Sequence, residues 1–160
     1  MNILLFSRPV HSGKTTELLD RSAGQPGVFG IAMPDEHGVR QMRDVRTGVS
    51  WLAQCLVPGM AGQAVETIGR FAFYQSSFQR ANDLLRNAAS ARPRWIVIDE
   101  IGTLEMSGGG FRPVLDEILQ VGSCQNLLLV VRDTLLDTIC QVCGHWPCLV
   151  AERLDGDLFV

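Results

Sequence analysis

Three unbroken apolar runs constrain this chain more than anything else in it: Asn2-Ile-Leu-Leu-Phe6, Trp95-Ile-Val-Ile98 and Asn126-Leu-Leu-Leu-Val-Val131. A strand with one wet face alternates apolar and polar residues. A run that is apolar throughout must bury both faces, as a parallel strand does between helices. Helix-forming segments follow each run. Lys14 to Ala23 carries Glu17, Leu18 and Leu19, and a segment from about Thr134 to Val142 follows the third run. Between them, Phe111, Val114, Leu115, Ile118 and Leu119 recur at helical spacing, with Pro113 tolerable in the first turn. Gln75 to Ala91 likewise puts Phe78, Ala81, Leu85 and Ala88 on one face, and Trp146 to Ala151 reads as a fourth core strand. Strands alternating with helices predict a three-layer α/β domain around a mainly parallel sheet.

The stretch between the first and second runs reads differently. Gly24 to Gly27 stops a helix, Val28 to Met33 is strand-like, and Pro34 to Gly38 is a turn. Val39 to Val45 and Val49 to Val57 are mixed in polarity, which predicts an inserted antiparallel appendage outside the central layer. Pro58 to Gly62 reads as a breaker-rich connection, and Gln63 to Phe73 as strand or extended loop. At 160 residues, without repeats or linkers, the chain is expected to form one domain, 1–160.

A net charge of −3 offers no pull toward nucleic acid or anionic lipid. No apolar run approaches spanning length, and the N-terminus lacks the order of a secretory signal, so a cytoplasmic monomer is expected. Five cysteines, an odd number, suit reduced thiols better than a disulfide framework. Cys140, Cys143, His145 and Cys148 are four possible zinc ligands crowded into nine residues. Structural zinc sites usually draw their pairs from two separated segments, so small buried apolar residues are the default reading.

The first run leads into Ser7-Arg-Pro-Val-His-Ser-Gly-Lys-Thr-Thr16 and then into a helix. This is the setting of a phosphate loop, G-x-x-x-x-G-K-[ST], except that Arg8 stands where the first Gly belongs. Arg8, Pro9, Val10, His11, Ser12, Gly13, Lys14, Thr15 and Thr16 are the candidate nucleotide-binding residues. Backbone N–H groups and the helix N-terminus suit phosphates, Lys14 suits the β and γ phosphates, and the Thr15 hydroxyl suits Mg²⁺. The second run delivers Asp99 and Glu100 at a strand's carboxyl end, where open α/β sheets place their ligands. Asp99 is the second candidate Mg²⁺ ligand, and Glu100 the group to orient or deprotonate a water. Arg132, ending the third run, is the candidate to stabilise charge on a transferred phosphoryl group, or else to pair with Asp133. For Arg8 there are two expectations. Either the loop takes a variant path, with Ser7 shifted into the glycine role by an inserted residue, or phosphate binding is weakened; the Arg8 side chain is expected to be solvated, the alternative being a charge added to the phosphates.

The segment Val97-Ile-Asp-Glu-Ile-Gly-Thr-Leu-Glu-Met106, with the helix at Phe111, resembles the I-D-E-I-G-x-M-E element of the THEP1 family of small nucleoside-triphosphatases. Arg8-Pro9, Gly13-Lys-Thr-Thr16, Ile68-Gly-Arg-Phe71 with Phe78, and Glu152-Arg153 are similar to further family segments. The chain lacks both early glycines of the family loop. The resemblance implies a RecA-like P-loop fold and Mg²⁺-dependent hydrolysis of ATP, GTP and other nucleoside triphosphates, with Lys14, Thr15, Asp99 and Glu100 on functional positions. A small-molecule kinase on the same scaffold and a non-catalytic nucleotide-binding module are the alternatives.

Overall fold

The computed structural model describes residues 1–57, 62 and 64–159. In chain order its elements begin β1 (Asn2–Arg8), α1 (Lys14–Ser22), β2 (Val28–Ala32), β3 (Asp35–Glu36), β4 (Val39–Asp44), β5 (Ser50–Leu52) and β6 (Gln54–Cys55). They continue β7 (Val65–Ile68), β8 (Phe71–Tyr74), α2 (Gln75–Ser90), β9 (Trp95–Ile101), α3 (Thr103–Met106) and α4 (Arg112–Val121). The last are β10 (Asn126–Arg132), α5 (Leu136–Cys143), which follows a 3₁₀ turn at Asp133–Leu135, and β11 (Cys148–Ala151). The connection expected at Pro58 to Gly62 lies outside the described residues except for Gly62.

The three apolar runs lie side by side. The main sheet has the order β11-β1-β10-β9-β2-β4-β3, with β5 also paired to β4. The β11, β1, β10, β9 and β2 strands are mutually parallel. Side-chain alternation explains why each run is apolar throughout. Ile3, Leu5, Ile96, Ile98, Leu127 and Leu129 pack toward α2, α4 and α5, joining Phe78, Leu85, Leu115 and Ile139. Their neighbours Leu4, Phe6, Val97, Leu128 and Val130 face the other way, onto Leu18 of α1 and onto Leu154 and Phe159 near the chain's end. Gly30, at φ 152, lets β2 lie against β9. A Cβ there would stand 2.0 Å from the Val97 carbonyl oxygen, so any side chain would force the strands apart.

Three expectations need correction. The mixed-polarity segments are antiparallel, but β4 pairs with β2 and so extends the main sheet. Val49 to Val57 is two strands, because the chain changes sheets at the buried Ala53. Its N–H bonds the Arg40 carbonyl at 3.1 Å, and its own carbonyl accepts from Tyr74 of the second sheet at 2.9 Å. That second sheet is β6-β8-β7, antiparallel throughout. The fourth apolar strand, β11, is an edge and not a core strand, with Leu149 67% exposed. The glycine-rich loop after Ile101 holds the short helix α3, because the buried Glu105 carboxylate gathers two backbone donors, Gly102 N–H at 2.8 Å and Phe111 N–H at 3.1 Å. Among the described residues no helix is long and apolar enough to cross a membrane.

Candidate active site

The loop between β1 and α1 resolves the Arg8 question through the backbone. Ser7 and Arg8 are still strand, in register with Val131 and Arg132 of β10, so neither makes the turn that a glycine would serve. The left-handed conformations fall later, at His11 (φ 61) and Gly13 (φ 81). Glycine takes such angles freely, and histidine is among the few other residues found there with some frequency. Ser7 is therefore not shifted into the glycine role. Nor is Arg8 solvated. Its guanidinium lies 2.8 Å from Glu17 of α1 and 5.0 Å from the centre of the Phe6 ring. Val10, His11, Ser12, Gly13, Lys14, Thr15 and Thr16 line a cleft of about 320 Å³, whereas the Arg8 and Pro9 side chains do not. Those two residues contribute carbonyl oxygens instead. Lys14 Nζ donates to Arg8 at 2.6 Å and to Pro9 at 3.0 Å. Partial burial lowers the Lys14 pKa below the ordinary lysine value, with Asp133 and Asp99 opposing that shift.

Opposite the loop, β9 carries its acids into the same cleft. Its pairing with β10 shifts register between Leu129 and Val131, so Asp99 and Glu100 sit in a bulge, and Glu100 has φ 67. A bulge re-aims side chains. It lets two consecutive residues, which a regular strand would send to opposite faces, border one cavity. Asp99 is fully buried, and its Oδ2 accepts the Met33 N–H at 2.9 Å. Burial pushes its carboxyl up to about 6, while the Met33 N–H and the Thr15 side chain favour the charged form.

Glu100 is held by two arginines. Arg40 Nη1 approaches Oε2 at 3.0 Å, and Arg132 Nη2 approaches Oε1 at 3.8 Å. Arg132 thus faces Glu100, and among the described residues it pairs with that acid and not with Asp133. Arg40 was not apparent from the sequence. It stands on β4, with its side chain 18% exposed, and is anchored to the Met33 carbonyl at 3.3 Å and beside Asp35 at 4.0 Å. The only local hint is Asp35, which the β3–β4 pairing sets opposite Arg40. Nothing in the spacing of residues 40 and 100 links them. The cleft therefore combines Lys14, Asp99, Glu100 and Arg132, at or just beyond the carboxyl ends of β1, β9 and β10, with Asp35 of β3 and Arg40 of β4.

The donor set fits Mg²⁺. Asp99 Oδ1 is buried without any hydrogen-bond partner, in a carboxylate whose charge is penalised by burial and which stands beside the Thr15 hydroxyl. A hard divalent cation would satisfy that oxygen and offset the charge, keeping its remaining positions for water and phosphate oxygens. The cysteine segment offers no comparable arrangement. Among the described residues no group of three or more His, Cys, Asp or Glu side chains is placed to hold a metal ion. All five cysteines are free, and burial pushes the Cys143 thiol up to about 12.

Comparison with known sequences gives a match to the family described as NTPase over residues 33–145, a span that includes Arg40, Asp99, Glu100 and Arg132. The chain belongs to the NTPase family. Two solved structures share its fold. One is a human cancer-related nucleoside triphosphatase, 21% identical with TM-score 0.65, covering 98% of this chain and 90% of that one. The other is THEP1 from the hyperthermophile Aquifex aeolicus, 16% identical with TM-score 0.66, covering 98% and 92% respectively. No curated protein matches the sequence. This member of the NTPase family thus has the P-loop NTPase architecture: a mostly parallel eight-stranded sheet between helices.

Proposed function

We propose that the chain is a Mg²⁺-dependent nucleoside-triphosphatase that converts ATP, GTP and other nucleoside triphosphates to the diphosphate and inorganic phosphate. The observation that carries this reading is the convergence of Lys14, Thr15, Asp99 and Glu100 on one cleft. Phosphoryl transfer asks little covalent chemistry of a protein, so catalysis rests on positioning and on offsetting charge. The N–H groups of residues 11–15 and the start of α1 bind the phosphates. Lys14 exchanges its two carbonyl partners for phosphate oxygens. Thr15 and Asp99 are the residues to hold Mg²⁺, which when bound offsets charge on the β and γ phosphates. Glu100 accepts a proton from the attacking water, and Arg40 and Arg132 place fixed positive charge beside it. The same reading takes residues 1–160 as one domain, working as a monomer in the cytoplasm with nucleotide as its partner.

Purified protein incubated with a panel of nucleoside triphosphates and Mg²⁺ tests this. Phosphate release should appear, should stop with a chelator, and should fall by about 10²–10³-fold in Glu100→Gln. Release no greater than in Glu100→Gln across the whole panel would refute the proposal.

A further inference from the structure

Glu100 is bordered by a second cavity. Beside the phosphate cleft lies a chamber of about 60 Å³ whose apolar lining is Ile68, Phe71, Phe73, Phe78 and Leu104. Arg40, Glu100 and Arg132 line both spaces, so the carboxylate that faces the phosphate cleft also faces a space with one apolar side. We propose that this chamber is an acceptor site for an uncharged primary alcohol, and that the enzyme transfers the γ-phosphoryl group to that hydroxyl as well as to water. The inference rests on the phosphate-cleft reading above and specifies what else that cleft can phosphorylate.

Three observations carry it. The first is the chemistry of the walls. A site built only to hold an attacking water needs polar partners alone, whereas here Arg40, Glu100, Thr103 and Arg132 are joined by an aromatic and aliphatic wall that a water would not use. The second is rigidity. Phe71, Phe73, Phe78 and Phe111 form a continuous aromatic series, with centroids 6.2, 6.0 and 5.1 Å apart, that runs from the chamber into the core. The chamber is thereby pre-formed by β8 and the start of α2. The third is size. The chamber is less than half of the ~150 Å³ that admits benzene in an engineered cavity and is open on one side, which suits a chain of about two to four carbons or the hydroxymethyl end of a longer molecule. Glu105 is tied back to the protein, its two oxygens accepting from the Gly102 and Phe111 N–H groups.

The step balances without a further reactant. The alcohol oxygen attacks the γ-phosphorus, and its proton passes to the Glu100 carboxylate. The bond from the γ-phosphorus to the β,γ-bridging oxygen breaks, and the nucleoside diphosphate leaves with that electron pair. The products are a phosphate monoester and the diphosphate, and Glu100 then returns its proton to solvent.

The test supplies ATP, Mg²⁺ and ethanol, 1-propanol or 1-butanol to the intact protein, and quantifies alkyl phosphate and inorganic phosphate by ³¹P NMR. With 1-propanol the ester-to-phosphate ratio should exceed the alcohol-to-water mole ratio by at least about tenfold, because a bound hydroxyl acts at raised effective concentration. Ile68→Trp, which fills the chamber, should return the ratio to the mole ratio, and Leu104→Phe provides a second, milder filling. Because the readout is a ratio of products, it does not depend on the variants' total rates. Phosphate release with no ester, or a ratio that tracks the mole ratio in the wild type, overturns the acceptor site and leaves the hydrolase reading intact. Neither product from ATP overturns both.

Discussion

Arg40 Nη1 lies 3.0 Å from Glu100 Oε2, and the same nitrogen donates to the carbonyl of Met33, whose N–H in turn holds Asp99. One residue of the β2–β3 connection therefore links the two acids of β9 to an arginine of β4. The antiparallel strands that extend the parallel core thus supply part of the site.

Removing that arginine should affect turnover more than nucleotide binding. Arg40→Ala is expected to lower kcat by about 10²-fold, with KM for ATP changed by less than about threefold, since a fixed charge beside the reacting group counts most in the transition state. Arg40→Lys should recover only part of the loss, because an ammonium keeps the charge but not the planar fork that reaches Glu100 and Met33 together. Arg132→Ala should cost less, since Arg132 is 42% exposed and stands 3.8 Å from Glu100. Steady-state phosphate release across ATP concentrations measures all three.

Restoring the glycine that the phosphate-loop pattern asks for at position 8 should not help. Arg8 is a strand residue without a left-handed angle, and its guanidinium is committed to Glu17 and Phe6. Arg8→Gly is expected to leave ATP affinity within about twofold while lowering stability by ~1 kcal/mol, from a lost half-buried ion pair and a freer unfolded chain. Calorimetric titration with ATP and urea unfolding measure the two effects separately.

Glu105 makes folding stability depend on pH. Burial, the largest cause, pushes its carboxyl up to about 7 from an ordinary value of 4.5, against the pull of its backbone donors. Between those two values the folded state holds a proton that the unfolded state has released. Stability from this group is therefore present at pH 4.5 and below, and is lost as pH rises to 7. The loss should reach about 3 kcal/mol at most. Urea midpoints at pH 5 and pH 8 should differ more in the wild type than in Glu105→Gln, whose carboxamide does not titrate. Equal differences in the two proteins would show that the carboxyl is not the source.

Much of this was legible in the chain. The runs at Asn2, Trp95 and Asn126 announced buried parallel strands because both of their faces are covered by apolar layers. Gly13-Lys14-Thr15 and Asp99-Glu100 could be read as two halves of one site because each lies at the end of such a strand, and parallel strands bring their carboxyl ends together. The strand β11 misled for a related reason. Apolar content signals burial, yet Leu149 and Val150 lie on an edge strand and remain exposed. Arg40 was not legible, since its role arises from strand pairing and not from a local motif.

The sequence by itself thus determined the layered fold, the loop and the acid pair, because apolar periodicity and short motifs act over neighbouring residues. Only the tertiary structure decided where the backbone of the loop turns, which arginines hold Glu100, and that an aromatic chamber shares its wall with the cleft. Each of these depends on strands far apart in the chain being set side by side. The register shift that lets Glu100 border both cavities exists only once β9 is paired with β10.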